Sequence, residues 1–119
     1  MEKLSKQEED AMLVIWKVGR GTIGEVLEAM PEPKPPYTTL ASTLKNLERK
    51  NYLSFRKYGN VYDYFPTISH EVYKKAFVSG LVANYFENSY KEMVSFFAKE
   101  QKISAQELQE ILKMIEKNG

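Results

Sequence analysis

The chain contains no cysteine and a single histidine. The first absence excludes disulfides and thiolate chemistry. The second removes the usual basis of a zinc site, which draws on several His or Cys ligands. No apolar run approaches the ~20 residues that a membrane-spanning helix requires. The opening MEKLSKQEED is polar and lacks the hydrophobic stretch of a signal peptide. None of the six glycines belongs to a phosphate-cradling loop. Catalysis finds little to stand on: His70 reads as a helix start or surface residue, and the carboxylates fall in caps and on helical surfaces with no pair set apart for acid–base work. The expectation is a cytoplasmic, non-enzymatic protein with no cofactor, no metal and no membrane insertion.

What is present is an ordinary folded composition, 119 residues with 43% apolar and 28% charged, enough for one domain and an appendage. The net charge of +1 conceals an asymmetry. Residues 1–32 carry a net −3, and residues 69–119 balance. Residues 33–60 carry a net +5, from Lys34, Lys45, Arg49, Lys50, Arg56 and Lys57 against Glu48. A concentrated basic block is the footprint of a polyanion-binding face.

The spacing of apolar residues predicts the elements. Ser5 and Glu8 form a capping box ahead of a helix burying Met12, Ile15 and Trp16, which ends at Gly19 and Gly21. Thr22 and Glu25 open a second helix, stopped by Pro31. PEPKPPY (31–37) reads as a stiff connection. A third helix is expected from Thr38 or Thr39 as N-cap, with Leu40, Leu44 and Leu47 buried and Asn51 in the left-handed position after its end. From Tyr52 the period changes to 2, and Gly59-Asn60 predicts a hairpin turn between two strands. Three helices and a hairpin are the order of a winged helix-turn-helix. Beyond Pro66 and Ser69, a single long helical pattern runs from His70 to about Gln101. A third capping box, Ser104 with Glu107, opens a final helix.

The expected fold is therefore mainly α with a small β-hairpin: a winged helix over 1–68 and a helical domain over 69–119. The second part is too small and elongated to close a core alone. Its apolar positions, Phe77, Leu81, Tyr85, Tyr90, Met93, Val94, Phe97, Leu108, Ile111, Leu112 and Ile115, call for a partner, and a second copy of the chain is the simplest one.

The third helix carries the functional signal. Thr38, Thr39, Ala41 and Ser42 keep its first turns small and hydrogen-bonding, as a helix approaching base edges in a major groove requires. Lys45, Asn46 and Arg49 can reach phosphates or purine edges. Arg56 and Lys57 on the hairpin can hold an adjacent backbone, and Tyr37 and Tyr58 are candidate phosphate contacts. Tyr52, Tyr62 and Tyr64 alternate as core-facing strand positions. These features favour double-stranded DNA over the alternative, a winged-helix adaptor that binds protein only.

In order, LSKQEEDAMLVIW, YTTLASTLKNLERKNYL and GNVYDYFP resemble three signatures of the penicillinase-repressor (BlaI/MecI-type) family of bacterial regulators. The resemblance spans residues 4–66 and implies a DNA-binding winged helix, a carboxy-terminal dimerisation domain, and repression from a dyad-symmetric operator. It assigns base reading to Thr38, Thr39, Ala41 and Ser42. Ala41 stands where several relatives carry a larger polar residue, and Glu9 stands where an apolar or aromatic one is usual. In antibiotic-responsive members a regulatory membrane protease triggers cleavage at an Asn-Phe bond. The matching place here is Phe96-Phe97, without the asparagine.

Overall fold

The computed structural model describes residues 1–118; the end of the expected second domain, residue 119, lies outside them. The order of elements is α1 (Lys6–Val18), β1 (Gly21–Thr22), α2 (Ile23–Ala29), α3 (Tyr37–Arg49), β2 (Leu53–Tyr58), β3 (Val61–Pro66), α4 (His70–Tyr85), α5 (Tyr90–Lys99) and α6 (Ala105–Asn118). The fold is mainly helical with one small antiparallel sheet. The chain divides into two units, Met1–Lys74 and a second that begins at Lys75, so the division falls inside α4.

Both amino-terminal capping boxes form. Ser5 and Glu8 exchange hydrogen bonds at the start of α1, and Thr22 and Glu25 do so at α2. The core of the first unit gathers Ala11, Met12 and Ile15 of α1, Val26 of α2, Leu40, Leu44 and Leu47 of α3, and Tyr52, Leu53 and Tyr64 of the sheet. The two-residue turn Gly59-Asn60 closes the hairpin in the register Tyr58↔Val61 to Leu53↔Pro66, with Gly59 at φ +61°. A strand not foreseen from the sequence, β1, pairs with β3 and makes the sheet three-stranded in the order β1-β3-β2. Two residues are too few to show an alternating period.

Four other expectations are corrected or refined. α3 is capped by Pro36, not by Thr38 or Thr39: Pro36 is extended, its carbonyl accepts the Leu40 N–H at 3.0 Å, and no side chain caps the end. The fixed φ of proline makes it a ready entry to the helix, so both threonines lie inside the first turn. The pattern from His70 to Gln101 is two helices, because Glu87 and Asn88 adopt positive φ and Ser89 caps α5 by accepting the Glu92 N–H. Trp16 is half-buried, donating its indole N–H to the Ile68 carbonyl at 2.8 Å. His70 lies flat on the Trp16 ring at 4.6 Å, so it serves as a packing surface as well as a helix start.

Asn51 takes the left-handed conformation (φ +66°) after α3, and the Tyr52 N–H closes on the Leu47 carbonyl at 2.9 Å. In the second unit the Ser104–Glu107 capping box forms. Among the described residues of this unit only Val82 is fully enclosed.

Candidate nucleic-acid interface

α3 has two faces. Leu40, Thr43, Leu44 and Leu47 are buried, whereas Thr38, Ser42, Lys45 and Arg49 are exposed. Those four follow the i, i+4, i+7, i+11 spacing, which at 3.6 residues per turn lays them along one line of the helix. Thr39, Ala41 and Asn46 flank that line half-buried, and Tyr37 is exposed at its start. The buried Thr43 hydroxyl is turned inward and donates to the Thr39 carbonyl at 2.9 Å, leaving the Thr39 side chain uncommitted by that bond. Asn46 accepts from Arg49 at 2.9 Å, so these two candidates are presented as a pair.

On the hairpin, Arg56 and Lys57 are exposed, and the Lys57 ammonium stands 5.6 Å from the centre of the Tyr62 ring. Tyr58 and Val61 are exposed beside the turn. Asp63, the cross-strand partner of Arg56, is engaged by Arg20, whose Nε donates at 2.9 Å. An acidic group that would repel an anion beside Arg56 is thereby paired.

Two lysines of the basic block are bonded to the protein itself. The Lys34 ammonium donates to backbone carbonyls at the end of α2, and Lys50 donates to the buried Glu8 carboxylate at 2.7 Å. Lys34 stays exposed all the same, as do Lys45, Arg49, Arg56 and Lys57. Charge counting along the sequence cannot separate the lysines bonded to the protein from the others, because both look alike in one dimension.

Burial alone would push the Glu8 carboxyl up, but the Lys50 ammonium and the Ser5 N–H and hydroxyl outweigh it and hold Glu8 below its ordinary value of 4.5. A lowered carboxyl contributes stability above 4.5 that is lost as the pH falls through the folded-state value. Glu8→Gln is therefore expected to be less stable than the native chain at pH 7, with the gap closing as the pH falls below 4.5. Urea midpoints followed by Trp16 fluorescence across that range check the expectation. Glu9, unusual against the resembled family, also has a partner: the Tyr73 hydroxyl donates to its carboxylate. Burial and that carboxylate push the Tyr73 phenol up.

The second unit presents apolar surface. Phe77, Tyr85, Tyr90, Val94, Ile111, Leu112 and Ile115 are exposed, reaching 74% at Tyr85 and 62% at Ile115. Leu81, Met93, Phe97 and Leu108 are half-buried. Phe96 and Phe97 both lie within α5, and Phe96 packs on Phe86 at 5.6 Å. Among the described residues no cluster of metal-ligating side chains occurs, and no helix is long and apolar enough to cross a membrane.

A three-helix unit whose third helix follows a short connection, with a hairpin as wing, defines a winged helix-turn-helix. The exposed line lies on the helix that in helix-turn-helix units is the second helix of the motif. The chain belongs to the penicillinase repressor family, whose profile matches residues 4–117, and it is a transcriptional repressor by that membership. A solved structure titled "CopR Repressor Structure" matches at 29% identity, covering 57% of this chain and all of its own, with a TM-score of 0.47. No curated protein matches the chain.

Proposed function

We propose that the chain represses transcription by binding double-stranded DNA as a homodimer on a dyad-symmetric operator. The observation that carries this reading is the exposed line Thr38, Ser42, Lys45 and Arg49 on α3, in a unit that also exposes Arg56 and Lys57. Near the helix start the side chains are small enough for base edges to approach, with Ala41 able to pack on a thymine methyl and Thr38, Thr39 and Ser42 able to hydrogen-bond. Farther along, Lys45 and Arg49 meet phosphates or purine edges, and Arg56 and Lys57 hold the neighbouring backbone. Tyr37 stands at the edge of this surface and adds a phosphate contact.

The exposed apolar faces of α4, α5 and α6 support dimerisation. So many exposed apolar side chains in one small unit are uncommon on a monomer, and covering them with the same residues of a second copy satisfies both at once. Two recognition helices then read half-sites separated by about one turn of DNA, 34–36 Å, or a multiple of it. Selection from random duplexes tests the reading. The expected product is an inverted repeat bound by two chains, with affinity falling steeply as salt rises. Enrichment of no sequence, or one chain per selected duplex, would reject it.

A further inference from the structure

Two of the six basic residues between 33 and 60 are committed to the protein itself, and they stand at opposite ends of α3. Lys34 lies in the connection from α2 to α3. Its ammonium donates to the carbonyls of Leu27, Glu28 and Met30 at 3.1, 2.8 and 2.7 Å. Carbonyls in the last turn of a helix have no following turn to bond them, and a cation there also meets the negative end of the helix dipole. Lys34 thus draws the connection back onto the end of α2 just before the chain enters α3 at Pro36. At the other end, Lys50 is the C-cap of α3. Its ammonium donates to Glu8 at 2.7 Å and to the Lys3 carbonyl at 3.0 Å, with the Glu8 side chain only 7% exposed. Glu8 is in turn fixed by its capping box with Ser5.

We propose that Lys34 and Lys50 are positioning residues that fix the recognition helix at its two ends and make no phosphate contact, an inference that rests on the DNA-binding reading above. Bonds to base edges tolerate little displacement, whereas phosphate contacts are shared by every sequence. Loosening either end of α3 therefore costs operator binding and leaves non-specific binding nearly intact. A lysine that touches phosphate behaves oppositely. Its loss weakens all duplexes alike and lowers the slope of log affinity against log salt by about 0.9.

The test titrates the full chain with its selected operator and with a random duplex, by fluorescence anisotropy over a series of salt concentrations. Lys34→Met is compared with Lys45→Met as the phosphate-contact control. Lys50→Met is made together with Glu8→Gln, so that no buried carboxylate is left without its cation, and melting temperatures confirm that each variant is folded at the working temperature. Lys34→Met and the double variant are each expected to lose about tenfold in operator affinity, the scale of one misread base pair. Their random-duplex affinity should change by less than about twofold and their salt slope should match the native chain. Lys34→Arg, which keeps donors at the α2 end, should recover most of the loss. A slope lowered by about 0.9 in Lys34→Met, as in Lys45→Met, overturns the proposal while leaving DNA binding intact. A lowered melting temperature with unchanged operator affinity overturns it too, since that is a purely structural role. If the native chain binds no duplex at all, the positioning role and the DNA-binding reading fall together.

Discussion

Thr39→Glu combined with Lys45→Glu is expected to abolish operator binding while the chain remains folded and dimeric. The double change replaces a neutral hydroxyl and a cation by two carboxylates, a shift of three charge units on the surface assigned to the DNA. On the DNA-binding reading proposed above, one favourable phosphate contact would be lost, and two repulsive ones added in a groove already lined with negative charge. Stability should not suffer. With Pro36 as N-cap, Thr39 is the third residue of α3, where a carboxylate sits favourably against the positive end of the helix dipole. Lys45 is exposed and is not a member of the core cluster. A gel-shift titration beside a melting curve and a sedimentation measurement reads all three quantities. Unchanged operator affinity would sink the assignment of α3 as the reading helix.

Leu44→Ala should act in the reverse sense, by unfolding the first unit without touching its outer surface. Leu44 is fully buried in the core of α1, α2, α3 and the sheet. Removing three carbons from such a place costs about 2–5 kcal/mol, from lost transfer energy and from the cavity that a close-packed surround cannot collapse. That is a large part of the ~5–15 kcal/mol by which a domain is stable. With a urea dependence of about 1–3 kcal/mol per molar, the midpoint should fall by about 1 M or more. Trp16 reports on the first unit, since it is the only tryptophan and lies against Ile68 and His70. Ser42→Ala, on the opposite side of the helix, should change stability by less than the ~0.5 kcal/mol of an ordinary surface substitution. Equal losses from the two changes would contradict the division of α3 into a supporting and a reading face.

Much of the fold was legible in the sequence, for identifiable reasons. Capping boxes are local, so Ser5–Glu8, Thr22–Glu25 and Ser104–Glu107 announce helix starts without knowledge of the fold. Leu40, Leu44 and Leu47 repeat at the helical period, and Gly59-Asn60 lies between two runs of period 2. The features that escaped depend on distant partners or on competing local rules. β1 exists because Gly21 and Thr22 meet Tyr64 and Asp63, far along the chain. Thr38 and Thr39 are good capping residues, yet the preceding proline is already extended and takes the position. The break at Glu87-Asn88 interrupts an apolar pattern that continues on both sides of it, so periodicity runs through where the backbone does not. Lys34 and Lys50 read as part of a basic surface, because only the fold reveals the carbonyls and the carboxylate they meet.

The partition of α3 also has a consequence for how such a regulator can change over generations. The leucines that keep it folded and the side chains proposed to address its target occupy separate rows of the same helix. On the DNA-binding reading proposed above, mutation at Thr38, Ala41, Ser42 or Lys45 would redirect the protein to a different gene without the structural damage that usually eliminates new variants. A lineage can therefore drift through target sequences on an unchanged scaffold, and a library randomised at those four positions is the laboratory form of the same path.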